Sequence, residues 1–240
     1  MKGMNDSRAN SKIFRLPRHN QRGNVLWYIL VTLGLLGLLT AVISRLSSNV
    51  EQSANRESSS ITNSQIMRYG SGIEAAIQNM KFQDVSENDI SFYNFVSAAD
   101  YTNSDCDDSS DSSYPTCLVF DAKGAGLTFQ LPPSGFNDGS EWIFTGKNTV
   151  PGIGNDATPD LVMILPNVDQ ANCLGYNDEL GVTNPSGDAP EDSDGIDTTP
   201  FTGTFSASAQ IGHQATIGGQ KTACIKVGSS YYIYYALLAR

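Results

Sequence analysis

The chain has 240 residues and a formal net charge of −10, a length that accommodates one anchor and one globular domain with a real core but leaves little for two full domains. The charge is unevenly divided: the first 22 residues carry Lys2, Arg8, Lys12, Arg15, Arg18 and Arg22 against Asp6, whereas from Phe82 onward 21 Asp and Glu face only Lys123, Lys147, Lys221, Lys226 and Arg240. So acidic a surface repels phosphate backbones and anionic lipid, and no nucleic-acid binding is expected of the C-terminal part.

Residues 1–23 read as a basic leader. Val25 to Ile43, VLWYILVTLGLLGLLTAVI, carries no charge over 19 residues, enough to cross about 30 Å of hydrocarbon as a helix. The excess of Lys and Arg before it, with none after it, places the N-terminus in the cytoplasm and the following domain outside. Trp27 and Tyr28 then fall at the cytoplasmic interface. A cleaved secretory signal is the competing reading, but the run is long for one and LTAVISRLSS offers no A-x-A site.

From Ser44 to Met80 there is no proline, and Leu46, Val50, Ala54, Ile61, Ile73, Ile77 and Met80 recur in helical steps. Residues 24–82 are therefore expected as one long helix, membrane-spanning over 25–43. Ser58 to Ser60 and Gly70-Ser-Gly72 are weak helix formers, which leaves room for a kink or fraying near Gly70.

The run RGNVLWYILVTLGLLGLLTAVISRL, Arg22 to Leu46, follows a basic leader that ends in glycine and leads into a helix and a C-terminal domain. In this it resembles type IV prepilins and pseudopilins. The resemblance implies a bacterial inner-membrane protein cut by a prepilin peptidase after Gly23 and N-methylated on Asn24. Its partners would be other pilin-like subunits and the pilus or secretion assembly machinery, and its role structural, in a pilus or type II secretion-like filament serving adhesion or protein secretion. The chain departs from that family's pattern at Asn24, where most members carry Phe or Met, and at Tyr28, where most carry a glutamate that pairs with a neighbouring subunit's terminal amine. It also lacks a helix-bending proline in the span. The alternative is a single-pass anchored extracytoplasmic binding or adhesion module with an uncleaved N-terminus.

Residues 83–240 are rich in Asp, Ser, Asn, Gly and Pro between short apolar runs, which reads as a β-rich domain with long loops. Strands are expected at Thr116–Phe120, Gly126–Leu131, Glu141–Thr145, Leu161–Leu165, Thr202–Ala209, Thr222–Val227 and Tyr231–Leu238, with a short helix over Val168–Leu180 and a hairpin turn at Gly228-Ser-Ser. The fold class is α+β: an antiparallel sheet packed on the C-terminal half of the N-terminal helix, burying Ile73, Ile77 and Met80. This is also the pilin-like plan that the resemblance implies. In YYIYYALLAR the tyrosines are read as strand packing in preference to an adhesive patch.

Cys106, Cys117, Cys173 and Cys224 all follow the apolar segment, which points to disulfides in an oxidising compartment. Four cysteines allow three pairings and the sequence does not choose; Cys106 with Cys117 and Cys173 with Cys224 are favoured. Zinc fits poorly, because there is no CxxC and the histidines are His19 and His213. Asp192, Asp194 and Asp197, in DSDGID, alternate in a way that can wrap calcium, the glycine permitting the turn; a solvated acidic loop is the preferred reading. Asp105 to Asp111 is read as surface. No catalytic residue is expected: G-x-S-x-G, HExxH and a phosphate loop are all missing from the sequence.

Overall fold

The computed structural model describes residues 24–106 and 115–240, with side chains described for 25–44, 59–106 and 115–240. The architecture is α+β, an N-terminal apolar helix and a C-terminal mixed sheet. Helical backbone is assigned over Asn24–Phe82 (α1), a stretch free of proline. The chain divides into two compact units, Met1–Ala54 and Asn55–Arg240, and each is treated by itself.

In the second unit the remaining part of α1 buries Asn63, Ile66, Gly70, Ile73, Ile77 and Met80, residues three or four apart that form one face. Gly70 is a contact point: a Cβ built there would lie 2.7 Å from Cδ2 of Tyr235, so the absence of a side chain lets the tyrosine ring reach the helix backbone. Gly72 faces open space.

The sheet holds β1 (Ile143–Thr149), β2 (Asp160–Leu165), β3 (Ala209–Gln210), β4 (Thr222–Val227) and β5 (Ser230–Leu238), in the order β3-β1-β2-β5-β4. The helices α2 (Gln170–Leu180) and α3 (Gln214–Ile217) lie between strands in the chain. Strands β1, β2, β5 and β4 pair antiparallel, but β3 pairs parallel with β1, so the sheet is mixed and not antiparallel as expected. The cause lies in residues 201–211, which run alongside β1 in its own direction through hydrogen bonds from Phe201, Ser206, Ser208 and Ile211 to carbonyls of Phe144, Gly146, Lys147 and Thr149. Phe201 and Phe205 lie over Gly146, whose missing side chain makes the room. Of the expected Thr202–Ala209 strand only Ala209 enters the ladder, with Gln210 just beyond it.

Both faces of the central strands are covered, which is why LVMIL reads as a continuous apolar run. Leu161, Met163, Leu165, Ile233, Tyr235 and Leu237 pack with Ile66, Ile73, Ile77 and Met80 of α1, while Val162, Ile164, Tyr234 and Ala236 pack with Val150, Ile211, Ile217 and Ile225. Val227 pairs with Ser230 across a two-residue turn whose Gly228 has φ 60°.

No regular strand forms in 83–142 among the described residues, so Thr116–Phe120 and Gly126–Leu131 are corrected to irregular chain. Their apolar residues serve the core directly. Phe92 stacks on Phe144 with centroids 4.2 Å apart, and Phe120 meets both rings at a tilt. One short parallel bridge joins Ser91 to Leu118.

Candidate functional site

The feature that most constrains function is the apolar part of α1. Val25–Ser44 is 20 residues long and apolar enough to cross a membrane or to act as a signal, and none of it is buried within its own unit. Its few polar atoms are satisfied locally: Thr32 donates to the carbonyls of Tyr28 and Ile29, Thr40 to those of Leu36 and Gly37, and Ser44 to that of Thr40. A helix apolar all round with its hydroxyls turned onto its own backbone suits hydrocarbon or a protein interior better than water. Gly34 and Gly37 leave the helix surface open for close approach. Gly23, with the rest of the basic leader, lies outside the described residues. Asn24 is the first residue of α1.

The acidic segment Asp192–Asp197 is organised by backbone hydrogen bonds. Asp192 is 2% exposed; its Oδ1 accepts from the N–H groups of Asp194 and Gly195 at 2.9 and 3.2 Å, and its Oδ2 from Gly212 at 2.9 Å. Asp194 accepts from the Ser193 hydroxyl. Asp197 accepts from the Thr199 N–H and the Ser208 hydroxyl; burial raises its pKa, the hydrogen bonds from Ser208 and Thr199 lower it, and the result lies below the usual carboxylate range. Each carboxylate is engaged separately. Among the described residues no group of three or more His, Cys, Asp or Glu side chains is placed to hold a metal ion. The loop instead covers the edge of β4, with Asp192 N–H on the Lys226 carbonyl and Lys226 N–H on that of Pro190.

Two disulfides join Cys106 to Cys117 and Cys173 to Cys224, with Cα separations of 5.8 and 5.4 Å. The first lies beside the Ser91–Leu118 bridge and the second fastens α2 to β4. Near the second, Asp188 gathers Lys226 Nζ at 2.8 Å, Tyr231 Oη at 2.9 Å and the Ala189 N–H at 2.9 Å. The Lys226 hydrogen bond holds its carboxyl well below the usual range. Glu87 receives both Lys81 and Arg240, and their hydrogen bonds and charges outweigh the burial that would raise its pKa. These clusters tie the C-terminal strands and residue 240 to the rest of the domain. The tyrosines of β5 are spent in the same way: Tyr234 donates to the Gln220 carbonyl and Tyr235 to Glu74.

Ser193 Oγ lies 3.4 Å from His213 Nε2, with Asp194 on the serine side of the pair. A nucleophilic triad needs its carboxylate on the far nitrogen of the imidazole, so this order does not activate the serine. Two open clefts stand out among the described residues. One, of about 720 Å³, is lined by Tyr93, Val96, Leu118, Phe120, Leu127 and Phe129. The other, of about 500 Å³, lies between α1 and the chain before β1 and includes Arg68, Tyr69, Gln130 and Trp142. Sequence reasoning missed both, because their residues come from separate segments, within Tyr93 to Phe129 for the first and from Gln65 to Trp142 for the second, and carry no local motif. No protein-family model, no curated protein and no solved structure matches this chain.

Proposed function

We propose that the chain is a structural subunit of a type IV pilus or type II secretion-like filament. In this reading it is held in a bacterial inner membrane by Val25–Ile43 with the N-terminus in the cytoplasm, trimmed after Gly23 by a prepilin peptidase, N-methylated on Asn24, and assembled helix against helix with other pilin-like subunits. The observation that carries the reading is the 20-residue apolar helical segment Val25–Ser44 with its side chains exposed, directly behind a stretch of six basic residues that ends at Gly23. Removing those charges would leave an apolar helix end able to exchange lipid for the same face of neighbouring subunits. The disulfide-tied domain suits an oxidising compartment on the other side of the membrane.

The second reading, an anchored extracytoplasmic binding module that keeps its leader, is favoured by Tyr28, which cannot supply the carboxylate for a neighbour's amine. Intact mass of the protein taken from its native membrane separates the two. The filament reading expects loss of residues 1–23 and one added methyl group, with the leader retained after Gly23→Ala. A wild-type mass beginning at Met1 would remove it and leave the anchored module.

A further inference from the structure

The cleft between α1 and the chain before β1 has the composition of a binding site for an oxygen-rich anion. It is about 500 Å³ and is lined by Gln65, Ile66, Arg68 and Tyr69 from one side and Gln130, Leu131, Pro133 and Trp142 from the other, within the range of about 300–1,000 Å³ usual for small-molecule sites. Both walls are held in place. The Gln130 N–H donates to Tyr69 Oη at 3.2 Å, and the Tyr69 and Trp142 rings pack with centroids 5.5 Å apart. Burial pushes Tyr69 up to about 12, so its phenol keeps its proton and stays a donor.

Two unspent groups mark the place. Trp142 is 2% exposed, and its indole N–H is buried without an acceptor, in a class of group that almost always finds one. Arg68 is exposed and, like Lys123 and Lys147, makes no ion pair among the described residues, whereas Lys81, Lys221, Lys226 and Arg240 each meet a carboxylate. A free arginine on a domain this rich in acid is a cation left available.

We propose that this cleft binds a saccharide that carries a carboxylate, of the hexuronate kind. Arg68 takes the carboxylate through its planar guanidinium, which matches such a group with two parallel hydrogen bonds. The amides of Gln65 and Gln130, each both donor and acceptor, and the Tyr69 hydroxyl match the ring hydroxyls, which are also both donor and acceptor. Leu131 and Pro133 offer apolar surface to the C–H face of the sugar. The acid of the remaining domain repels anions, so binding rests on Arg68 in a way it would not on a basic surface. This site is independent of whether the chain builds filaments.

The test uses the full chain in detergent micelles, followed by NMR of the indole N–H signals of its two tryptophans, with Trp27→Phe for assignment. Titration with glucuronate or galacturonate is expected to move the Trp142 signal saturably, with a dissociation constant on the order of 1 mM, and to leave the Trp27 signal in place. Glucose and acetate, which each offer half of the recognition, are expected to bind about tenfold more weakly. Arg68→Gln, a change at an exposed position, should retain the wild-type melting temperature and reduce uronate affinity about tenfold, to the glucose level. The proposal is overturned if neither uronate moves the Trp142 signal, if acetate alone reproduces the effect, or if Arg68→Gln binds uronate as the wild type does.

Discussion

The side-chain amide of Asn177 in α2 closes both backbone groups of Cys224 in β4: its Nδ2 donates to the Cys224 carbonyl at 2.9 Å, and the Cys224 N–H donates to its Oδ1 at 2.8 Å. The same β4 residue is held by Cys173, one turn earlier in α2. The edge strand is thus completed by a helix side chain where another strand would otherwise pair. Buried asparagines repeat this use elsewhere. Asn148 makes the same two bonds with Asp197, and Asn103 donates to the carbonyls of Asn88 and Ile90.

Asn177→Ala should therefore leave a buried donor and a buried acceptor at Cys224 without partners. The expected loss is about 1–3 kcal/mol, read from urea unfolding of the protein with its disulfides intact. An unchanged midpoint would mean that the disulfide alone holds the edge.

Gly70→Ala and Gly72→Ala form a matched pair on one helix. The first drives a methyl group into the Tyr235 ring and should destabilise by about 1–3 kcal/mol through overpacking. The second meets nothing within 4 Å and should be neutral or stabilising by up to about 1 kcal/mol from helix propensity. Thermal melts of the two variants should shift in opposite directions or, at the least, differ clearly.

The two disulfides should differ in worth. Cys173–Cys224 closes a sequence separation of 51 residues and Cys106–Cys117 one of 11. On chain entropy alone the longer closure is worth about 4 kcal/mol and the shorter about 3 kcal/mol. Removing the pair Cys173→Ser with Cys224→Ser should lower the unfolding midpoint more than Cys106→Ser with Cys117→Ser. The reverse order would mean that strain or structure in the unfolded chain outweighs closure.

What was legible in the sequence follows from what hydrophobic pattern reports. It reports burial, and where burial coincides with pairing the strands are readable: Thr222–Val227 keeps its bounds, and Leu161–Leu165 and Tyr231–Leu238 are each extended by one residue in β2 and β5. Leu118, Val119 and Phe129 are just as buried, yet they sit in irregular chain. The backbone of Leu118 and Val119 is tied by the Ser91 bridge and the neighbouring disulfide at Cys117, and apolar spacing is blind to that distinction. Asn177 could have been noticed as a polar residue one turn after Cys173 on the same helix face. The acidic loop supports two readings from one pattern. Carboxylates spaced as if for a cation are the same ones that accept N–H groups in tight turns, and Asp192 is used in the second way.

Asp188 should govern part of the acid limb of stability. Its folded pKa is depressed by Lys226, so the folded state binds its proton less readily than the unfolded chain does. The contribution is present in full above the unfolded carboxylate pKa of about 4, and is lost as the pH falls from there toward the folded value. Asp188→Asn should lower the melting temperature at pH 7, and the gap from wild type should close as the pH is lowered below about 4. A gap that stays constant through that window would assign the effect of the substitution to packing.

The last prediction concerns the medium that Val25–Ser44 requires. The hydroxyls of Thr32, Thr40 and Ser44 are satisfied on the helix itself, and Leu36, at the middle of the segment, is 63% exposed in its own unit. An arginine there has no partner to pair with, and in hydrocarbon it costs about 2.5–3.5 kcal/mol on insertion scales, or roughly a hundredfold in partition. Leu36→Arg should release protein from membranes into the alkaline-carbonate supernatant, while Leu36→Ala should stay in the pellet. Protein alone could also cover this surface, as when such a segment serves as the core of a soluble assembly. In that case wild type and both variants would all appear in the supernatant and would differ in assembly size, and the segment would not be a membrane span.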